Sequence, residues 1–448
     1  MQNPFYLRIF LLYNKCVKID DYNGDEIMAL NTFSNGLRLV CVPRADKKIA
    51  CVVLHIAGGT QSEKNFQSGI SDYLTKIMFM GTKKHATREA LLNYAKSNGI
   101  ILTPHNSKES ITISALCPRE SIEKAIAILS EVAFDTTFSL ENGEKVKKIL
   151  LSQVALLNEN PNYIMDRLLN NTLYYRTGLA NPKSGTNITV SRFRSIDAKD
   201  YLERVFTPRN TIISVVGDVS QENVYDWVKL HFFDRMKDSE TEYKKLKYVS
   251  HVDDFVGSCK GRVKRLNQTR FCVSFPTVSF KEKEKYIIEI VKPILINHLK
   301  LALSNQNYYF DTKIKTKYYA NNGSLTFELV VDYDFAEDHL YNFVSALNTD
   351  IKQRNISSEE FETEKRVFVT NFINTYDDVL ENALISAKQI ALTKQTFSEN
   401  TERLKIEVLT NKDANKLIKQ ILDFDKMVVV YLGHDIAVDY DDLLASIE

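Results

Sequence analysis

The sequence is poor in the residues that break or staple a chain. Of 448 residues only 9 are proline, 15 are glycine and 1 is tryptophan, and no low-complexity tract interrupts it, which excludes a collagen-like or extensively disordered chain. Neither sign of charge is in excess: 58 Lys and Arg stand against 57 Asp and Glu, a formal net charge of +1. A nucleic-acid footprint is therefore not expected. The six cysteines, Cys16, Cys41, Cys51, Cys117, Cys259 and Cys272, form no Cys-x-x-Cys pair, which argues against a zinc ribbon or a disulfide framework and for isolated structural or free thiols. No window approaches the roughly 18 apolar residues of a membrane span. The early run FYLRIFLLYNKC is short, is interrupted by Arg8 and has no small-residue cleavage site after it; residues 1–27 read as an N-terminal extension or a degenerate targeting segment.

Local catalytic signatures are equally scarce. Gly58-Gly59 and Gly185 have no phosphate-loop context, no Gly-x-Ser-x-Gly elbow occurs, and the isolated cysteines carry no nucleophile signature. None of the eight histidines is paired with another at metal-ligand spacing. His55, inside an apolar strand, reads as a satisfied buried histidine, His85 and His251 as surface residues, and Asp338-His339 as a solvated helical turn.

What is present is a repeat. The strand Asn210-Thr-Ile-Ile-Ser-Val-Val-Gly217-Asp218 returns 216 positions later as Lys426-Met-Val-Val-Val-Tyr-Leu-Gly433-His434. A long amphipathic helix opening at Ser139 returns 219 positions later at Ser358, each with Ser followed by acids as an N-cap requires. Both offsets are close to half the chain, and a strand and then a helix precede each long helix. The simplest organisation is two copies of one α+β domain, residues 28–235 and 261–448, joined by a charged linker over 236–260.

One stretch carries the functional question. In SGISDYLTKIMFMGTKKH, Ser68 to His85, the apolar residues Ile70, Tyr73, Leu74, Ile77 and Met78 recur at spacings of three and four, the mark of one buried helical face. Asp72 and Lys76 lie four apart on another face, with Thr75 between them. Together with NTFSNGLRLVCVPR before it and LYYRTGLANPKSGTNITVSRFRSIDAKDYLERVFTPRNTIISVVGDVS after it, this stretch resembles the pitrilysin/insulinase superfamily, and within it the subunits of mitochondrial processing peptidase, their bacterial relatives and the core subunits of respiratory complex III. The resemblance covers most of residues 28–235 and, more faintly, the second half. It implies two duplicated α+β domains, each an antiparallel-rich sheet flanked by helices, facing each other as a clam-shell around a peptide-holding chamber.

Active members of the family carry His-x-x-Glu-His and a later glutamate, because two imidazoles at i and i+4 meet one Zn²⁺ while the glutamate between them takes a proton from the zinc-bound water. The resemblance aligns Asp72 and Lys76 with the two histidines, Thr75 with the base and Gln153 with the distal ligand. All four positions are substituted. An ammonium has no lone pair to give, a threonine hydroxyl has no useful basicity, and an amide is a poor ligand beside a carboxylate. No zinc and no other cofactor is expected; Asp72 and Lys76 read as an i,i+4 ion pair, worth about 0.2–0.5 kcal/mol on an exposed helix. The family's substrate-aligning strand corresponds to Thr103–Glu109, with Asn106 and Glu109 as candidate substrate contacts and Pro104 removing a backbone donor. In the second half Ser304 and Asp311 stand where an Arg and a Tyr would grip substrate, with Tyr308 and Tyr309 as candidate replacements.

These readings imply a catalytically inactive family member that pairs with an active, zinc-bearing homologue as a heterodimer, or forms a homodimer, or serves as a scaffold. The alternatives are a stand-alone peptide-binding or chaperone-like protein that holds extended chains without cutting them, and an active metalloendopeptidase with displaced ligands.

Overall fold

The computed structural model describes residues 28–236, 256–264, 266–304, 311–332, 334–395, 398–433 and 438–446. In chain order the strands are β1 Ala29–Thr32, β2 Arg38–Pro43, β3 Ile49–Ala57, β4 Ile101–Asn106, β5 Ser110–Pro118, β6 Thr211–Gly217, β7 Ser258–Val263, β8 Gln268–Thr277, β9 Asp311–Tyr318, β10 Gly323–Asp332 and β11 Val428–Gly433. The helices are α1 Ile70–Ile77, α2 Arg88–Ser97, α3 Ile122–Phe134, α4 Leu140–Glu159, α5 Pro161–Leu173, α6 Asn187–Ser191, α7 Ser195–Val205, α8 Gln221–His231, α9 Lys285–Leu303, α10 Ala336–Ala346, α11 Ser358–Asp377, α12 Val379–Thr393, α13 Glu399–Glu407, α14 Asn411–Ile421 and α15 Tyr440–Ala445.

Two mixed sheets with helices packed on them make the fold α+β. The first has the order β1-β2-β6-β3-β5-β4 and the second β7-β11-β8-β10-β9. Each contains one parallel pair, β2 with β6 and β7 with β11, followed by antiparallel pairs across the rest of the sheet. With β1 set aside, the two sheets have the same order and the same strand directions, so the duplication read from the sequence is a duplication of topology. Both β6 and β11 end on a glycine for a steric reason. A Cβ at Gly217 would stand 2.5 Å from the Ala50 Cβ of the neighbouring strand, and φ there is +149°; a Cβ at Gly433 would stand 2.5 Å from Thr269 Oγ1.

The chain divides into two compact units: residues 1–154, 182–246 and 374–398 form one, and 155–181, 247–373 and 399–448 the other. The expected boundaries therefore miss an exchange of segments. Helix α5, from the first half of the sequence, packs through Ile164, Met165 and Leu169 with Val428, Val430 and Leu432 of β11. Helix α12, from the second half, packs through Val379, Ala383, Ala387 and Ile390 with Val53, Ile212 and Val216 of the first sheet. The linker expected over 236–260 falls mostly outside the described residues, and its last three, Ser258–Lys260, belong to β7.

The first unit's main core lies between the sheet and the helices on its other face. Leu39, Cys41, Val52, Leu54, Ile113 and Ile213 meet Leu74, Ile77, Leu129, Val146 and Val228, all nearly or fully buried. Burial of each large aliphatic side chain contributes about 1.5–3 kcal/mol. Helix α1 is short, and its persistence rests on this packing and on the cap described below rather than on helix propensity.

Gly217→Ala is expected to lower stability by about 1–3 kcal/mol, because the new Cβ meets β3 and φ is unfavourable. Thermal unfolding of the purified variant checks this, and an unchanged Tm would show that the β6 terminus relaxes freely.

Candidate functional site

The site is built around the N-terminus of α1. Its N-cap position, Gly69, is left-handed with φ +93° and offers no side chain. The cap comes instead from Glu63, which is 1% exposed. Its carboxylate accepts from the Gly69 amide at 2.8 Å, the Ser71 amide at 3.0 Å and the Ser71 hydroxyl at 2.5 Å. A negative charge on the first amides of a helix is favourable. Asn106, at the end of β4 and also buried, donates from Nδ2 to Ser71 Oγ at 2.9 Å. One series of hydrogen bonds thus joins β4, α1 and the turn after β3. Burial pushes the Glu63 carboxyl up to about 7, against the pull of the bonds from Ser71 and Gly69.

The second support is a backbone contact. A Cβ at Gly69 would lie 2.6 Å from Gly185 Cα, and one at Gly185, where φ is +73°, would lie 2.4 Å from the Ser68 carbonyl oxygen. The segment Pro182–Gly185 therefore lies directly on the start of α1. Thr189 Oγ1, at the start of α6, donates to the Ser68 carbonyl at 2.7 Å and fixes that contact.

On this scaffold the structure places the four aligned positions as follows. Asp72 is 5% exposed, and its Oδ1 receives Lys76 Nζ at 2.5 Å. The pair is not the exposed one expected from the sequence, because Asp72 is shut away from water while Lys76 is partly exposed, so removing Lys76 costs more than the few tenths of a surface pair. Thr75 is buried and its hydroxyl donates to the Ser71 carbonyl at 2.6 Å. Gln153, on α4, donates from Nε2 to Ser184 Oγ at 3.2 Å, next to Gly185. The donors at these positions do not suit Zn²⁺: one is an ammonium, one a hydroxyl bound to the backbone, one an amide, and the remaining carboxylate already holds the ammonium. Among the described residues no group of three His, Cys, Asp or Glu is arranged to hold a metal ion.

Strand β4 lies at the edge of its sheet, with β5 as its strand neighbour. The Ser107 amide donates to the Ser110 carbonyl at 2.8 Å, and hydrogen-bonded pairs recur at every second residue in an antiparallel ladder. With the register Thr103↔Ser114 and His105↔Thr112, Thr103 and His105 direct their backbone groups to β5. Leu102, Pro104 and Asn106 direct theirs to the free edge, so the donor that Pro104 lacks is missing from the side on which an added strand would pair. Asn106 reaches inward to Ser71. Glu109 lies beyond β4 in the turn, where its carbonyl accepts from the Gly58 amide at 2.9 Å, and its charge acts on Lys388 of α12. The two candidate contacts therefore do not share a face of the strand. Tyr308 and Tyr309 lie outside the described residues; Ser304 ends α9.

Three histidine readings change and one lies outside the described residues. His55 is buried, and burial holds its imidazole down at about 3, so it is neutral; its Nδ1 has no hydrogen-bond partner among the described residues. His85 is not a surface residue, since its Nδ1 lies 2.8 Å from Glu131 Oε1 and its ring packs on Tyr94. His339 is 3% exposed rather than solvated. His251 is the one outside. The five described cysteines are free, and burial pushes the Cys41, Cys117 and Cys272 thiols up to about 12, away from nucleophilic use.

One residue that the sequence reading passed over joins the site. Lys183, in the segment resting on α1, is exposed at its surface, yet burial holds its ammonium below the usual lysine range; Asp72 opposes that shift and Lys76 adds to it. It also acts on His105 of β4, whose imidazole is lowered by burial and then by this charge. Nothing in the motif NPKSGT marks it, because its place depends on the Gly69–Gly185 approach.

The match to known proteins follows the same division. The insulinase (peptidase family M16) model matches residues 39–187, and the peptidase M16 inactive domain matches residues 195–368. The chain belongs to the insulinase, or M16, peptidase family. It is 24% identical over 264 residues to the uncharacterized zinc protease YmxG of Bacillus subtilis, covering 59% of this chain and 63% of the relative. It is 21% identical to the mitochondrial-processing peptidase subunit beta of Dictyostelium discoideum, covering 60% and 57%. The chain thus spans less than two thirds of these curated relatives. A protease from Helicobacter pylori has the same fold with a TM-score of 0.83 at 16% identity, covering 91% of this chain and 99% of that one. A subunit of complex III2 from Candida albicans has a TM-score of 0.77 at 17% identity, covering 93% and 99%. Among the described residues no helix is long and apolar enough to cross a membrane.

The raised Glu63 carboxyl gives a pH signature. Its pKa is higher in the folded chain (about 7) than the ordinary 4.5, so the folded state binds the extra proton between those values. Its ionisation subtracts stability as pH rises from 4.5 through 7, by about 3 kcal/mol in full. Glu63→Gln is expected to remove that part of the slope in Tm measured from pH 5 to 8.5; parallel curves for the two proteins would place the carboxyl in an ordinary range.

Proposed function

We propose that this chain is a catalytically silent M16 subunit that pairs with an active, zinc-bearing homologue or serves as a scaffold. The observation that carries this reading is the Lys76–Asp72 ion pair at the positions aligned with the two metal-binding histidines. The engaged Thr75 hydroxyl and Gln153 amide support it, since neither a base for water nor a distal ligand is left over. The match of residues 195–368 to the family's inactive domain, and the likeness to a processing-peptidase subunit and to a complex III subunit, support a subunit role by analogy of fold. A second reading, a stand-alone holder of extended peptides, is favoured by the free edge of β4 beside α1.

Protein purified without chelator or affinity metal is expected to contain less than about a tenth of an equivalent of zinc and to leave peptides uncut. The combined variant Asp72→His, Thr75→Glu, Lys76→His and Gln153→Glu is expected to take up about one equivalent, because the scaffold of α1 and α4 remains. One zinc per unaltered molecule with chelator-sensitive cleavage would overturn the reading in favour of displaced ligands. Co-purification with an intact-motif homologue separates the subunit role from the stand-alone one.

A further inference from the structure

The two sheets differ at one edge. In the first, β1 lies antiparallel on β2, with Asn31 opposite Leu39 and Ala29 opposite Cys41. The Phe33 amide donates to the Leu37 carbonyl at 2.8 Å, and bonded pairs recur at every second residue, so Leu39 and Cys41 direct their backbone groups to β1. In the second sheet β7 has the place of β2, parallel to β11 as β2 is to β6, and among the described residues no strand lies on its outer side. The Ser258 amide donates to the Met427 carbonyl at 3.1 Å and the Lys264 amide to the Gly433 carbonyl at 2.8 Å. Ser258, Lys260, Arg262 and Lys264 therefore turn their backbone groups to β11. Cys259 and Gly261, which match Leu39 and Cys41 when counted from the glycines that end β6 and β11, turn theirs to the open edge together with Val263.

The side chains decide which strand the edge admits. Where β2 has Val40 and Val42, both buried, β7 has Lys260 and Arg262, both exposed. They share the face on which Val428, Val430 and Leu432 meet α5. Two residues beyond α5, Tyr175 is 62% exposed, with the Lys260 ammonium 5.8 Å and the Arg176 guanidinium 5.2 Å from its ring centre. Arg176 holds that place with a left-handed backbone, φ +60°, which is uncommon for a residue with a side chain. The acids near β7 are already placed: Glu159 pairs with Lys264 at 3.2 Å, and Asp439 and Glu337 act on Cys259 and Tyr431, on the face opposite Lys260. Among the described residues Arg176, Lys260 and Arg262 have no salt bridge. Cations on a strand edge turn most strands away. Three of one sign on one face favour a strand that brings carboxylates to that face, since opposite charges across a strand pair attract and like charges repel.

We propose that the open edge of β7 is a docking site for an acidic strand of a partner polypeptide, one that carries Asp or Glu at alternate positions and adds to β7 as β1 adds to β2. Main-chain hydrogen bonds to Cys259, Gly261 and Val263 hold the strand, and its carboxylates meet Lys260, Arg262 and Arg176. The site belongs to the second unit and uses no residue of α1, α4 or β4, so it stands whether or not the metal-free reading of α1 does.

The test uses the purified full-length protein and a short, end-blocked peptide of alternating Val and Glu, with its Gln and Lys counterparts for comparison. Fluorescence anisotropy of labelled peptide measures affinity, and amide hydrogen exchange of the same mixtures shows where the peptide lies. The Glu peptide is expected to bind about tenfold or more tighter than the Gln peptide, with added salt narrowing the gap, and to slow exchange at Cys259, Gly261 and Val263. N-methylating one alternate set of its amides is expected to abolish binding and methylating the other set to leave it intact, since only one set faces β7. Lys260→Gln with Arg262→Gln is expected to remove the preference for Glu, and Lys260→Glu with Arg262→Glu to transfer it to the Lys peptide. Both side chains are exposed, so these variants keep the fold, and circular dichroism verifies this. Equal affinity for the Glu and Gln peptides, a preference intact in the Gln variant, protection at β4 or β9 in place of β7, or no binding each overturns the proposal. So does slow exchange at the three amides in the protein alone, which would show the edge covered by the chain itself or by a second copy.

Discussion

The buried Glu63 carboxylate is the interaction on which the site depends. It lies in the turn after β3, and its three donors come from the first residues of α1, one of which, Ser71, also receives Asn106 from β4. Without it, the first amides of a short helix would be buried with no acceptor, a loss of about 1–3 kcal/mol for each unsatisfied group. Gly69 cannot supply the cap, since its lack of a side chain is what lets Gly185 approach. The helix start thus trades a local cap for a close backbone contact, and a carboxylate six residues earlier in the sequence restores the missing acceptor.

None of these supports involves the positions aligned with the metal ligands. Glu63, Ser71, Gly69, Gly185 and Thr189 hold α1 through groups lying before it, at its first turn or across from it. Asp72 shares that first turn but takes no part in these bonds, and Thr75 and Lys76 occupy the following turn, where the Thr75 hydroxyl donates back to the Ser71 carbonyl. A fold assembled in this way keeps its geometry when the chemistry of that turn changes, which is why a likeness in fold at 16–17% identity leaves the question of catalysis to the residues themselves. The substituted residues still had to satisfy burial. An aspartate 5% exposed needs a cation, and the lysine one turn on supplies it; a threonine hydroxyl inside a helix needs an acceptor, and the i−4 carbonyl supplies that.

How much of this was legible in the sequence follows from the range of each interaction. The α1 face Ile70, Tyr73, Leu74 and Ile77 was readable, because helical periodicity is a local property and all four are fully buried. The duplication was readable from Gly217 and Gly433, since the end of a central strand pressed against its neighbouring strand leaves a glycine behind in each copy. The exchange of α5 and α12 was not readable. An amphipathic helix announces that it has a buried face but not which sheet that face covers, and Ile164 and Ile390 have the same pattern in either unit. Glu63 and His85 were missed for a related reason: their partners, Gly69 and Ser71 for the one and Glu131 for the other, follow no repeating spacing.

The Asp72–Lys76 pair also shows what burial asks of charged residues on α1. A place that keeps water away penalises any charge put in it. One solution is complete internal pairing, and Asp72 with Lys76 goes part of the way. The structure stops short of it: Oδ2 of Asp72 has no hydrogen-bond donor among the described residues.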